Sequence, residues 1–199
     1  MHILDRSLSR LPKGLRTLID WGLTITLAAA AVLIFQAEVA KPYRIPSPSM
    51  EPTLHCAKPV DGCEGRVADR VIANRLVYRF QAPRRGEIIV FKAPAQVEAA
   101  CAASGTFVKR IVGLPGEKVS MRNGYVFING VRLDEPYLRP GYRDGESGEW
   151  ARIPSAGYFV LGDNREMSCD SRRWGVVPRS NIIGRTEVIY WPPNRAGSP

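Results

Sequence analysis

The stretch WGLTITLAAAAVLIF, residues 21–35, carries no charge. Extended to residues 18–37 it reaches about 20 residues, or roughly 30 Å as a helix, enough to cross the hydrocarbon layer of a bilayer. Asp20 and Glu38 mark its ends, and Arg6, Arg10, Lys13 and Arg16 precede it. Basic residues on that side put the N-terminus in the cytoplasm. The expectation is a cytoplasmic segment over residues 1–17, a transmembrane helix over 18–38, and an extracytoplasmic domain over 39–199. A cleaved leader is the main alternative. It needs small residues at −3 and −1, yet cutting after Ala40 puts Glu38 at −3, and cutting after Ala37 puts Phe35 there. A retained anchor fits better. A buried core helix fits poorly, because nothing downstream has the helical periodicity to pack against it.

Beyond the apolar run the chain reads as sheet. Sixteen prolines and eighteen glycines favour many turns and few long helices. EIIVFK (87–92) and TFVKRIVG (106–113) are strands, the second closed by LPGE with Pro115 and Gly116 placed for a type II turn. Residues 119–133 contain two Asn-Gly pairs, each suited to a type I′ turn, and so form a three-stranded meander. GYFVLGD (157–163) and IIGRTEVIYW (182–191) supply further strands, whereas 93–105 and 134–154 lack periodicity and are expected as loops. The fold class is mainly β, with antiparallel sheets after one N-terminal transmembrane helix. The net charge is +9. Such a basic surface could meet nucleic acid or an anionic bilayer, or could simply be solvated. Nucleic-acid binding would rest on charge alone, since neither a suitable fold nor an aromatic platform is evident. Cys56 and Cys63 bracket a short loop and could form a disulfide in an oxidising compartment. No Cys/His cluster suggests a metal, and no cofactor is implied.

The chemistry starts at RIPSPSMEPTL (44–54), where two serines are set among prolines. Pro46, Pro48 and Pro52 fix φ near −65° and remove donors, which would hold this segment extended. If Ser47 or Ser49 is a nucleophile, a base is needed. His2 is on the wrong side of the proposed membrane, and His55 follows a tight turn, so its ring cannot be assumed to reach back. GxSxG and SxxK patterns are absent. A lysine remains, and there are six. Lys109 stands out because in a strand it shares a face with Phe107 and Ile111. A free lysine is about 3.4 units too basic for neutral pH, which makes its amine form cost roughly 4.6 kcal/mol. Burial can supply a shift of about 3 to 5 units. On spacing alone a snorkelling or ion-paired lysine is the readier reading.

Four segments then resemble the bacterial type I signal peptidases, membrane-anchored Ser–Lys endopeptidases. IPSPSMEPTL resembles their nucleophile box, RGEIIVFK a strand box, FVKRIVGLPGE the lysine box and GDNREMSCDSR the C-terminal box, in the family's order after an anchor. The resemblance implies that Ser49 is the nucleophile and Lys109 the general base. It implies that Ser47 joins the Ser49 N–H in the oxyanion hole and that Ser168 orients the lysine amine. Arg110, Asp163, Asp170 and Arg172 would brace the site, and Tyr43, Ile45, Leu54, Phe107 and Val108 would border pockets for small side chains at −1 and −3. The implied substrates are signal peptides of exported preproteins with Ala-x-Ala-like sites. The implied partners are membrane lipid and the secretion machinery, and the implied place is the bacterial inner membrane with the catalytic β domain periplasmic. Glu166 and Met167 stand where Asp-Asn is usual, one anchor occurs where some members have two, and residues 117–155 fall in a variable β subdomain. A self-cleaving repressor-type Ser–Lys protease would need a DNA-binding module, which is not visible. A non-catalytic peptide-binding β module would leave Ser49, Lys109 and Ser168 without a reason to fall in these boxes.

Overall fold

The computed structural model describes residues 12–199, in two compact units, one ending at Ala40 and the other spanning Lys41–Pro199. Residues 1–11, with His2, Arg6 and Arg10 of the expected N-terminal segment, lie outside the described residues. In the first unit, helix α1 spans Lys13–Glu38. It starts five residues ahead of the expected span, because Pro12 suits a helix start and its carbonyl accepts the N–H groups of Leu15 and Arg16. Leu15, Leu18, Trp21, Leu23, Ile25, Leu27 and Leu33 are exposed, with Leu18 at 70% and Leu33 at 65%. The hydroxyls of Thr24 and Thr26 donate to the carbonyls of Asp20 and Gly22, so neither needs water. Residues Lys13–Leu33 are long and apolar enough to cross a membrane.

In chain order the strands are β1 (Ala40–Arg44), β2 (Arg70–Asn74), β3 (Ile88–Lys92), β4 (Thr106–Gly113), β5 (Val119–Arg122) and β6 (Tyr125–Ile128). They continue with β7 (Val131–Arg132), β8 (Gly148–Glu149), β9 (Gly157–Leu161), β10 (Val177–Pro178) and β11 (Ile182–Trp191). A seven-stranded sheet has the order β1-β2-β11-β3-β4-β9-β10, and a four-stranded sheet has the order β7-β6-β5-β8. The pairs of β3 with β4 and β4 with β9 are antiparallel, as are those of the meander. The two meander turns have φ of +48° and +76° at Asn123-Gly124 and +51° and +86° at Asn129-Gly130. Asn tolerates that left-handed backbone and Gly adopts it freely, which gives type I′ turns.

The apolar run of β3 is continuous rather than alternating because both of its faces are covered. Ile89 and Phe91 join Ile111, Val160 and Trp174 in one core cluster, whereas Ile88 joins Met50, Leu54, Val71 and Ile189 in another. A third cluster, around Val112, Val119, Met121 and Phe159, includes residues of both sheets. Between strands lie the short helices α2 (Val77–Phe80), α3 (Gln96–Cys101) and α4 (Ser171–Trp174). The expectation of loop throughout 93–105 is therefore corrected. Alanine-rich residues 96–101 turn once helically before Ala102, in the left-handed conformation, ends the turn. Residues 134–154 are irregular apart from β8.

Two disulfides cross-link the second unit. Cys56–Cys63 closes the short loop foreseen in the sequence, and Cys101–Cys169 ties the end of α3 to the segment before α4. In the chain-entropy account, a bridge across 68 residues restrains the unfolded chain by about 4 kcal/mol and one across 7 residues by about 2.5 kcal/mol. Replacing Cys101 and Cys169 by Ala should therefore lower the denaturant midpoint more than replacing Cys56 and Cys63, as chemical unfolding of the two variants would measure.

Candidate active site

Ser49 sits in a 3-10 turn, Pro48–Met50, and not in the fully extended segment that the prolines suggested. The chain is extended up to Ser47 (φ −129°, ψ 156°), and Pro48, with its fixed φ, then begins the turn. This turn brings Ser47 Oγ to 3.3 Å from Ser49 Oγ. Lys109 lies in the middle of β4, paired with Ile89 of β3. Its Nζ is 2.5 Å from Ser49 Oγ. Only 3% of Lys109 and 7% of Ser49 are exposed.

Burial strips water from the Lys109 amine and pushes its pKa down from 10.5 to about 8, against the opposing pull of Asp170 and Asp163; Arg172 adds to the lowering. A neutral amine at pH 7 therefore costs far less than it would in water. At that separation the ammonium donates to the serine oxygen, and once neutral the amine can accept the serine proton. His55 is turned to Glu51, whose carboxylate its Nδ1 contacts. Glu51 is fully buried, and its other oxygen accepts the N–H groups of Cys56 and Glu64. Glu51, His55 and Glu64 thus cluster ligand-type atoms, but Glu51 already ties down the small disulfide loop.

The four residues expected to brace the site form two ion pairs. Arg110 grips Asp163 through two hydrogen bonds, of 2.9 and 2.6 Å, and Thr53 donates to the same carboxylate. Asp170 accepts the Gly162 N–H and pairs with Arg172. Arg172 in turn donates to the carbonyls of Arg165 and Ser168. Ser168 is 7% exposed, and its Oγ has no hydrogen-bond partner among the described residues. It lies against Gly162 without a hydrogen bond to the lysine amine.

A cleft of about 510 Å³ opens over the pair. Tyr43, Ile45, Phe107 and Val108 line it together with Ser47, Ser49 and Lys109. Leu54 does not, being wholly buried in the cluster that also contains Ile45, Met50 and Val108. The sequence reading missed the wall made by Cys101, Cys169 and Met167, the last of which packs against Gly62 of the disulfide loop. The even number of cysteines was the available signal. It also missed Gly162, where a side chain would overlap both the Ser49 carbonyl oxygen and Ser168 Oγ. A glycine at the end of a buried strand signals such a close approach.

The family profile described as signal peptidase, peptidase S26, matches residues 18–191. The chain belongs to that family. A signal peptidase I of Leptolyngbya laminosa is 41% identical over 189 residues, which cover 94% of this chain and 86% of the relative. A probable signal peptidase I-2 of Synechocystis sp. is 39% identical over 91% of this chain and 77% of its own length. A solved signal peptidase I of Enterococcus faecalis is 31% identical and superposes with a TM-score of 0.44 over 53% of this chain and 97% of its own. Membership of the signal peptidase family makes this chain a serine peptidase of signal-peptide cleavage, and its apolar helix fits membrane association.

Replacing Gly162 by Ala tests the close packing around Ser49. The added methyl should push the Ser49 carbonyl aside, lower stability by about 1 to 3 kcal/mol and remove most peptidase turnover. Thermal unfolding and cleavage assays on the same preparation would measure both.

Proposed function

We propose that this chain is a membrane-anchored signal peptidase in which Ser49 is the nucleophile and Lys109 the general base. The observation that carries the reading is the 2.5 Å approach of a desolvated lysine amine to a serine hydroxyl at the floor of an apolar cleft. Neutral Lys109 takes the Ser49 proton as Ser49 Oγ attacks the scissile carbonyl. Ser47 Oγ, 3.3 Å from the nucleophile, and the Ser49 N–H receive the oxyanion. A donor of that kind is worth about 3 to 4 kcal/mol in the transition state. The lysine then passes its proton to the leaving amine, and later takes one from the water that hydrolyses the acyl-enzyme. The family resemblance gives Ser168 the part of orienting the amine, and Arg110, Asp163, Asp170 and Arg172 keep the surrounding turns in place.

An extended peptide enters the cleft as an added strand. Ile45 and Val108, with Tyr43 and Phe107 at the margin, leave room for small side chains at −1 and −3, which gives the preference for Ala-x-Ala. The helix Lys13–Glu38 anchors the enzyme in the bacterial inner membrane. The cations ahead of it keep the N-terminus cytoplasmic, so that the domain faces the exported preprotein. Both disulfides suit that oxidising side.

The test is cleavage of an Ala-x-Ala preprotein by detergent-solubilised enzyme. Ser49→Ala and Lys109→Ala should each abolish turnover while the fold survives. For the wild type, kcat/KM should climb tenfold per pH unit and level off above about pH 8, because only the neutral amine is active. Normal cleavage by the Lys109→Ala protein would reject the mechanism.

A further inference from the structure

Between β7 and β8, residues 133–147 form irregular backbone within a folded unit. A connection of that length calls for a function. Its side chains meet the three buried arginines of the catalytic boxes in turn. The Tyr137 ring lies 4.0 Å from the Arg110 guanidinium. The Glu135 carboxylate pairs with Arg165, and also accepts from Arg143 at 2.9 Å and from the Tyr137 hydroxyl at 3.0 Å. Asp144 and Glu146 both take the Arg172 guanidinium, the second at 3.1 Å. The Tyr142 carbonyl accepts the Arg165 N–H at 3.0 Å.

Glu135 is the deepest of these acids, with 1% of its side chain exposed against 0% for Arg165. A short chain of contacts leads from it to the nucleophile. Arg165 Nε donates to the Gly162 carbonyl at 2.9 Å. Gly162 packs directly on the Ser49 carbonyl and on Ser168 Oγ, and the Asn164 N–H donates to the Ser49 carbonyl at 3.2 Å. The turn 162–164 therefore supports the backbone of the nucleophile from behind, and Arg165 holds that turn. Without a buried counter-charge, Arg165 would have to leave its place, because an uncompensated buried cation is strongly unfavourable.

We propose that Glu135 is a positioning residue for the Ser49–Lys109 pair: by fixing Arg165 it fixes the 162–164 turn that carries Ser49, and the 133–147 strap acts through this contact. Glu135 touches neither substrate nor the reacting atoms. The inference rests on the reading of Ser49 and Lys109 as nucleophile and base. The charged groups facing the lysine amine are Asp163, Asp170 and Arg172, all on or beside the same turn, so loosening the turn changes both the position and the hydration of the amine.

The experiment measures kcat and KM of the full chain in detergent, across pH, with an Ala-x-Ala preprotein. Glu135→Gln keeps the shape and removes the charge. It should lower kcat about 10- to 100-fold with little change in KM, since a misplacement of about 1 Å can cost about 100-fold. The pH at which activity levels off should move upward as water reaches the amine. Glu135→Asp should recover part of the loss. Tyr137→Phe, which keeps the ring over Arg110 and removes one hydrogen bond to Glu135, should show a smaller loss of the same kind. If Glu135→Gln does not fold, Tyr137→Phe and Arg143→Gln decide. Wild-type kcat and pH profile in the folded variants, with only the melting temperature lowered, would overturn the inference. Turnover by Lys109→Ala would instead remove the dyad on which it rests, so the two failures are distinguishable.

Discussion

Lys109 is an amine enclosed by protein, with a hydroxyl as its nearest polar neighbour. Water would solvate its ammonium better than any group nearby, and that lost hydration shifts the amine toward its neutral form. Most other features of the second unit follow from keeping this group dry and in register. β4 must lie inside the sheet, between β3 and β9, so that no edge exposes it. The 3-10 turn at Pro48 must deliver Ser49 to the same point from a segment distant in sequence.

The opposing charges set a limit. Asp163 and Asp170 pull the lysine toward its charged form, and both are occupied by arginines at short range. Arg172 therefore does more than tie loops together, because its charge opposes that pull and lowers the lysine pKa. Burying three arginines and their acids beside a reactive amine is costly in solvation. The network of hydrogen bonds around them, with the strap 133–147 and the Cys101–Cys169 bridge, is the compensation that makes such a site tolerable.

Much of this was legible in the chain. The alternation of Phe107, Lys109 and Ile111 in a β-branched run, with LPGE after it, was enough to place β4 to the residue. The Asn-Gly pairs fixed the meander, because few other dipeptides accept two successive residues with positive φ. Local signals failed where the cause was distant. RVIAN reads too weakly to announce β2, which is held by pairing with β11 more than a hundred residues later. Nothing near Cys101 points to Cys169, and nothing near Glu135 points to Arg165; both partnerships are made by the fold. The serine turn was misjudged because proline suits an extended chain and the first residue of a 3-10 turn equally well.

The protonation state of Lys109 can be observed directly. Lysine side chains labelled at Cε, six in the chain, can be titrated by heteronuclear NMR, with the Lys109 signal assigned by its loss in Lys109→Arg. A midpoint near pH 8, well below the ordinary lysine value of 10.5, is the expected result. A midpoint near the ordinary value of 10.5 would mean that the amine is fully hydrated and charged at working pH, and would contradict its role as a base.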